Sequence, residues 1–116
     1  MESKREVIFF QGHFKAFYDP LNDKLKAKIN SILFLIRIAD RIPSKFFKHL
    51  TGTDGLFEIR IEYQSNIYRV FCCFDDGNLV VLFNGFQKKS QKTPRKEIDR
   101  ALSIKADYFE HKKKEK

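Results

Sequence analysis

Apolar residues follow two different rhythms along this chain. Residues 56 to 63, LFEIRIEY, alternate: Phe57, Ile59, Ile61 and Tyr63 take one side, and Glu58, Arg60 and Glu62 take the other. A period of two predicts a strand with one buried face. Gln64, Ser65 and Asn66 then form a tight turn, and residues 67 to 74, IYRVFCCF, return as a second strand. Asp75, Asp76, Gly77 and Asn78 carry hairpin-turn chemistry. Residues 79 to 86, LVVLFNGF, are apolar on both faces, which predicts a central strand covered from both sides. Near the start, residues 6 to 10, EVIFF, predict a further strand, broken by Gly12.

The second rhythm is helical. Leu21, Leu25, Ile29, Ile32, Leu33 and Ile36 fall on one stripe, with Lys24, Lys26, Lys28 and Asn30 mostly off it. Pro20 suits the first turn with Asp19 as cap, and Pro43 ends the helix soon after residue 39. A short amphipathic piece precedes it at residues 13 to 18, and residues 40 to 54 read as a connector mixing basic and aromatic residues. A last helix spans about residues 94 to 110, with Thr93 as cap, Pro94 in the first turn, and Ile98, Ala101, Leu102, Lys105 and Phe109 as a weaker stripe. The tail from about residue 110, HKKKEK, is expected to fray. The order strand, helix, three antiparallel strands, helix predicts one α+β domain over residues 1 to 116. Its sheet would be antiparallel, of about four strands, with helices packed on one face and a C-terminal helix.

Composition sharpens this picture. A chain of 116 residues that is 42% hydrophobic, with 13 Phe, can bury a core without disulfide or metal. Its net charge of +8 favours a polyanionic partner, whether nucleic acid, an acidic protein or an anionic membrane. Cys72 and Cys73 are neighbours on a strand and point to opposite faces, so they are badly placed to bond to each other, which suggests a reducing compartment. They lack zinc spacing, and His13, His49 and His111 are scattered, so no metal or other cofactor is expected. The opening MESKREVIFF is too short and too charged for a signal peptide. The longest apolar run, ILFLI, falls far below the ~20 residues of a membrane span. A soluble, cytoplasmic protein without a membrane partner is expected.

The charge gathers near strand ends. Arg60 projects from the non-core face of its strand, and antiparallel pairing can bring Arg69 beside it. Lys88 and Lys89 leave the third strand toward the same end. Together they form a candidate anion surface, and Arg grips phosphate well because it can do so in bidentate fashion. The plainer reading pairs Glu58 and Glu62 with the arginines across strands and leaves an ordinary solvated face. The run from Lys88 to Lys96 also reads as a solvated loop and helix start, Phe46 and Phe47 as core, and His49 as a loop histidine. Tyr68 shares a core face with Val70, Cys72 and Phe74.

Three stretches in order, GLFEIRIEY, NIYRVFCCF and LVVLFNGFQKKSQKTPRKEIDRA, carry a resemblance over roughly residues 5 to 105. The parts are Leu56, Glu58, Ile59 and Arg60; Tyr68, Arg69 and Val70; Phe86, Lys88, Lys89, Lys92 and Pro94. The pattern resembles the RelE/HigB branch of the RelE/ParE toxin superfamily, and most of all its phage-derived HigB-like subgroup. The resemblance implies the toxin of a type II toxin-antitoxin system, held by a HigA-like antitoxin and cleaving mRNA on the ribosome as a metal-independent endoribonuclease. In that chemistry a 2′-hydroxyl attacks its own phosphate. Arg60, Arg69 and Lys88 would be catalytic, the arginines stabilising the extra charge on the phosphoryl oxygens. Lys88 and Lys89 would hold the backbone or protonate the leaving oxygen. Lys89, Lys92, Lys45, Lys48 and His49 would contact RNA. The general base stays open between Glu58, a lysine and His49. The chain departs from RelE at Glu58 and Arg60, where RelE carries lysines, and at Thr93, Pro94 and Arg95, where it carries a tyrosine. The alternatives are a ParE-type gyrase poison on the same fold and a basic RNA-binding module without chemistry.

Overall fold

The computed structural model describes residues 2–89 and 92–115. Its elements are β1 (Glu6–Phe9), α1 (His13–Tyr18), α2 (Asp23–Ile38), β2 (Phe47–His49), β3 (Phe57–Tyr63), β4 (Asn66–Asp75), β5 (Leu79–Lys88) and α3 (Arg95–Lys114). The sheet has five strands in the order β1-β5-β4-β3-β2. β1 runs parallel to β5, and the other neighbours are antiparallel. The sheet is therefore mixed and one strand larger than the four antiparallel strands expected. The added strand, β2, lies in the presumed connector, where three residues are too few to show a period.

The helices do not share a face. α1 and α2 cover one side, where Leu25, Ile29, Ile32 and Ile36 pack with Ile59, Ile61, Val70, Cys72, Val80 and Leu82. α3 covers the other, where Ala101 and Ile104 meet Leu56, Phe71, Cys73, Val81 and Phe83. The reason is β5 itself: a strand apolar on both faces needs a cover on each. Every aliphatic side chain so buried contributes about 1.5–3 kcal/mol as an upper estimate. Cys72 and Cys73 fall in separate clusters, and both are free and buried. Burial pushes the Cys72 thiol well up and Cys73 to about 11, so neither is a ready thiolate at neutral pH.

Helix ends differ from expectation for local reasons. Asp19 closes α1 and pairs with Lys15 at 2.8 Å, and α2 opens three residues after Pro20. Its cap is Asn22, whose side chain accepts the Leu25 N–H at 2.9 Å. α3 starts at Arg95 with Pro94 as cap, and among the described residues no side chain, Thr93 included, caps it. At its far end α3 runs on to Lys114 instead of fraying from residue 110. Lys116, the last residue of that tail, lies outside the described residues. Among the described residues no helix is long and apolar enough to cross a membrane.

Two backbone features shape the end of the sheet where the charges gather. Gln64 and Ser65 both adopt positive φ, 49° and 65°, which gives the β3–β4 hairpin the twist of a two-residue turn. Between β4 and β5 the register slips. Val70 faces Gly85 and Cys72 faces Leu82, so Phe83 and Asn84 stand opposite Phe71 alone. The extra residue swaps the faces of the end of β5. Gly85 turns to α1, where a Cβ would lie 2.5 Å from the Phe17 ring, so only glycine fits. Phe86 and Lys88 turn to the α3 side.

Candidate functional site

Directly opposed residues of antiparallel strands share a face, so the register builds the site. On the α3 side, Lys48 faces Glu58, which faces Phe71. The next row is Arg60, Arg69 and Phe86, and the third is Glu62, Ile67 and Lys88. Arg60, Arg69, Lys88, Glu58 and Lys48 therefore meet on one surface built from four strands. The bulge decides this, because without it Lys88 would point to the α1 side.

The arginines are not bare. Arg69 and Glu58 are buried together, and Arg69 Nη1 donates to Glu58 Oε1. Glu58 Oε2 and Arg69 Nε find no partner among the described residues. Arg60 Nη1 lies 3.2 Å from Glu62 Oε2 at a more exposed position, where such a pair contributes about 0–1 kcal/mol. Glu58 thus pairs across strands as the plainer sequence reading allowed, whereas Glu62 pairs with Arg60 along its own strand. The pairing is incomplete as charge: Lys48, Arg60, Arg69 and Lys88 oppose Glu58 and Glu62, four against two. Half-buried Lys88 registers the surplus. Its ammonium is drawn below the ordinary 10.5 first by burial and then by Arg69, with Arg60 and Lys48 adding and Glu58 opposing.

The other candidates scatter. His49 sits on the opposite face, facing Phe57 in the register. Its Nε2 is 3.1 Å from the Thr53 carbonyl, and its ring stands edge-on to Phe57. It is not beside Glu58 or the arginines. Lys89 is exposed just past β5, and Lys92 is exposed in the segment leading to α3. Lys45 lies before β2 with its Nζ 4.8 Å from the centre of the Phe46 ring. Lys28, which no sequence motif selects, lines a cleft with Lys45, Phe46, Arg60 and Glu62. Its only sequence signal is its position off the apolar stripe of α2. No group of three His, Cys, Asp or Glu among the described residues could hold a metal ion.

Residues 16–105 match the family described as phage-derived protein Gp49-like (DUF891). The chain belongs to this family. No curated protein matches it significantly. The match corrects the RelE/HigB placement drawn from the three motifs. The readings that hung on that placement, an antitoxin-restrained toxin cleaving mRNA on the ribosome and a ParE-type gyrase poison, are corrected with it. The short motifs describe a strand order and a basic strand end, and those features did not fix the family. In the Gp49-like chain, Lys28, Lys48, Glu58, Arg60, Arg69 and Lys88 all lie inside the matched span. β1 and the last turns of α3 lie outside it.

Proposed function

We propose that the Gp49-like chain binds the phosphate backbone of single-stranded nucleic acid, RNA in the first instance, at the β3–β4 hairpin end of the α3-side face of the sheet. The observation that supports this is the convergence of Lys48, Arg60, Arg69 and Lys88 on one face against only two carboxylates. Arg69 is committed to Glu58 and acts from below. Arg60, Lys88 and exposed Lys48 are the groups a phosphate can reach. The half-buried Phe86 ring beside Arg69 offers a flat apolar surface at the same place.

Binding of a labelled single-stranded RNA should weaken steeply with salt. Three phosphate contacts give a slope of about −2 in log affinity against log salt. Lys88→Ala and Arg60→Ala should each lower that slope by about 0.7 and leave the fold intact. DNA of the same length and inorganic polyphosphate, run as competitors, rank the polyanions. Salt-independent binding, or variants that bind like the parent, would overturn the reading. The same RNA, incubated with chelator and run on a denaturing gel, shows whether binding is accompanied by cleavage.

A further inference from the structure

The charged rows end at an open edge of the sheet. β2 pairs with only residues 57–59 of β3, and one more backbone bond, from Arg60 N–H to the Phe46 carbonyl at 2.9 Å, closes that pairing. Beyond it, among the described residues, Ile61 to Tyr63 pair with β4 alone. At this gap the two sides of the sheet communicate. Lys28 from α2, Lys45 and Phe46 from the segment before β2, and Arg60 and Glu62 from β3 line one cleft of about 210 Å³.

Arg60 belongs to both places: it stands in the row of Arg69, and it lines the cleft. The cleft holds three cations against Glu62. Lys45 is held to the wall by the Phe46 ring, so its ammonium is partly ordered before any ligand arrives. Lys28 comes from the helix layer on the opposite face of the sheet. We infer that this cleft continues the nucleic-acid path around the β3 edge, with Lys28 and Lys45 each taking a backbone phosphate beyond the one at Arg60. The inference rests on the binding function proposed above and adds its direction and length.

It also constrains the ligand. The molecule measures 44 × 38 × 27 Å. A duplex, stiff over about 150 base pairs, cannot turn around one strand edge of a body this size. A single strand can.

The test compares two RNAs, one of roughly 12 nucleotides and one of about 4, the range one small binding face spans. Affinities are read across salt for the full chain and for Lys28→Ala, Lys45→Ala and a Lys24→Ala control on the same helix. Lys28→Ala and Lys45→Ala should each lower the salt slope of the longer RNA by about 0.7 and leave the shorter one unchanged. The control should change neither. Equal losses on both RNAs, or no loss on the longer one, overturn the path while leaving binding at Arg60 and Lys88 standing. A parent chain that binds neither RNA removes the underlying function and the path together. Lys28 and Lys45 are exposed, so unchanged thermal melts will show that each variant is folded.

Discussion

Asp75 at the end of β4 and Glu58 near the start of β3 are both carboxylates taken out of water on the α3 side of the sheet, and the fold serves them differently. Asp75 Oδ2 accepts from Tyr108 Oη at 2.6 Å, and both its oxygens accept from Lys112 Nζ, at 2.8 and 2.9 Å. Lys112 also reaches Asp76 at 3.0 Å. This network is complete and ties the last turns of α3 to the β4–β5 turn. Glu58 meets one nitrogen of Arg69, and each partner keeps an unanswered polar atom. A satisfied buried network rigidifies, whereas a partly satisfied one keeps hydrogen-bonding capacity in reserve. The first therefore reads as a latch, and the second as the floor of a site.

The largest effect should come from cutting the incomplete pair. Arg69→Met leaves Glu58 as a buried carboxylate without its counter-charge and should cost about 3–5 kcal/mol in chemical denaturation. Arg69→Met combined with Glu58→Leu should recover most of that loss, because two apolar groups need no partner. RNA binding should stay weak in the double variant if Arg69 supports the phosphates from below. A single variant as stable as the parent would show that the pair is already bathed by water, and the contrast with Asp75 would vanish.

That contrast was only half visible in the sequence. Period-two alternation located β3 and the turns on either side located β4, each to within a residue, and the helical stripe located the body of α2, because burial on one face writes itself into spacing. The two-sided apolar pattern of β5 implied two covering layers, yet the helix stripes alone do not say which side each takes. The placement of Lys88 depends on one extra residue between Leu82 and Gly85, and no local pattern announces a bulge there. Lys28 needed the tertiary fold to bring α2 near Arg60. The latch was hidden for the same reason: Asp75 reads as turn chemistry and Lys112 as a charged tail. The family was the least legible property, since short basic motifs report surface chemistry more faithfully than descent.

A smaller effect should come from weakening the latch. Asp75→Asn keeps the shape and removes the charge that strengthens the bonds from Lys112 and Tyr108, a loss of about 1.5–3 kcal/mol. Hydrogen exchange should quicken first in the C-terminal turns of α3. Burial alone would raise the Asp75 carboxyl, but the bonds from Lys112 and Tyr108 and the Lys112 charge outweigh it and hold it below the ordinary 3.8. A carboxyl lowered by folding stabilises the fold above its unfolded value. The gap between parent and variant should therefore be full at neutral pH and close as pH falls through the folded value. A gap that persists into strong acid would show that the charge is not what holds α3.

The smallest effect tests whether latch and site are separate. Tyr108→Phe removes one donor to Asp75 and leaves the Lys112 bonds, so about 0.5–1.5 kcal/mol should be lost. Burial and the bond to Asp75 push the Tyr108 hydroxyl up to about 12, so folding favours its protonated form. Its contribution should be complete below the ordinary value of 10 and fade as pH rises toward about 12. The phenylalanine variant lacks that titrating group, so the stabilities of the two chains should converge on the alkaline side. RNA affinity at neutral pH should not move, because Asp75 is bonded to Tyr108 and Lys112 and Glu58 to Arg69, with no partner in common. If Tyr108→Phe weakens RNA binding as much as Lys88→Ala does, the two carboxylates belong to one coupled network, and the distinction between a latch and the floor of a site is lost.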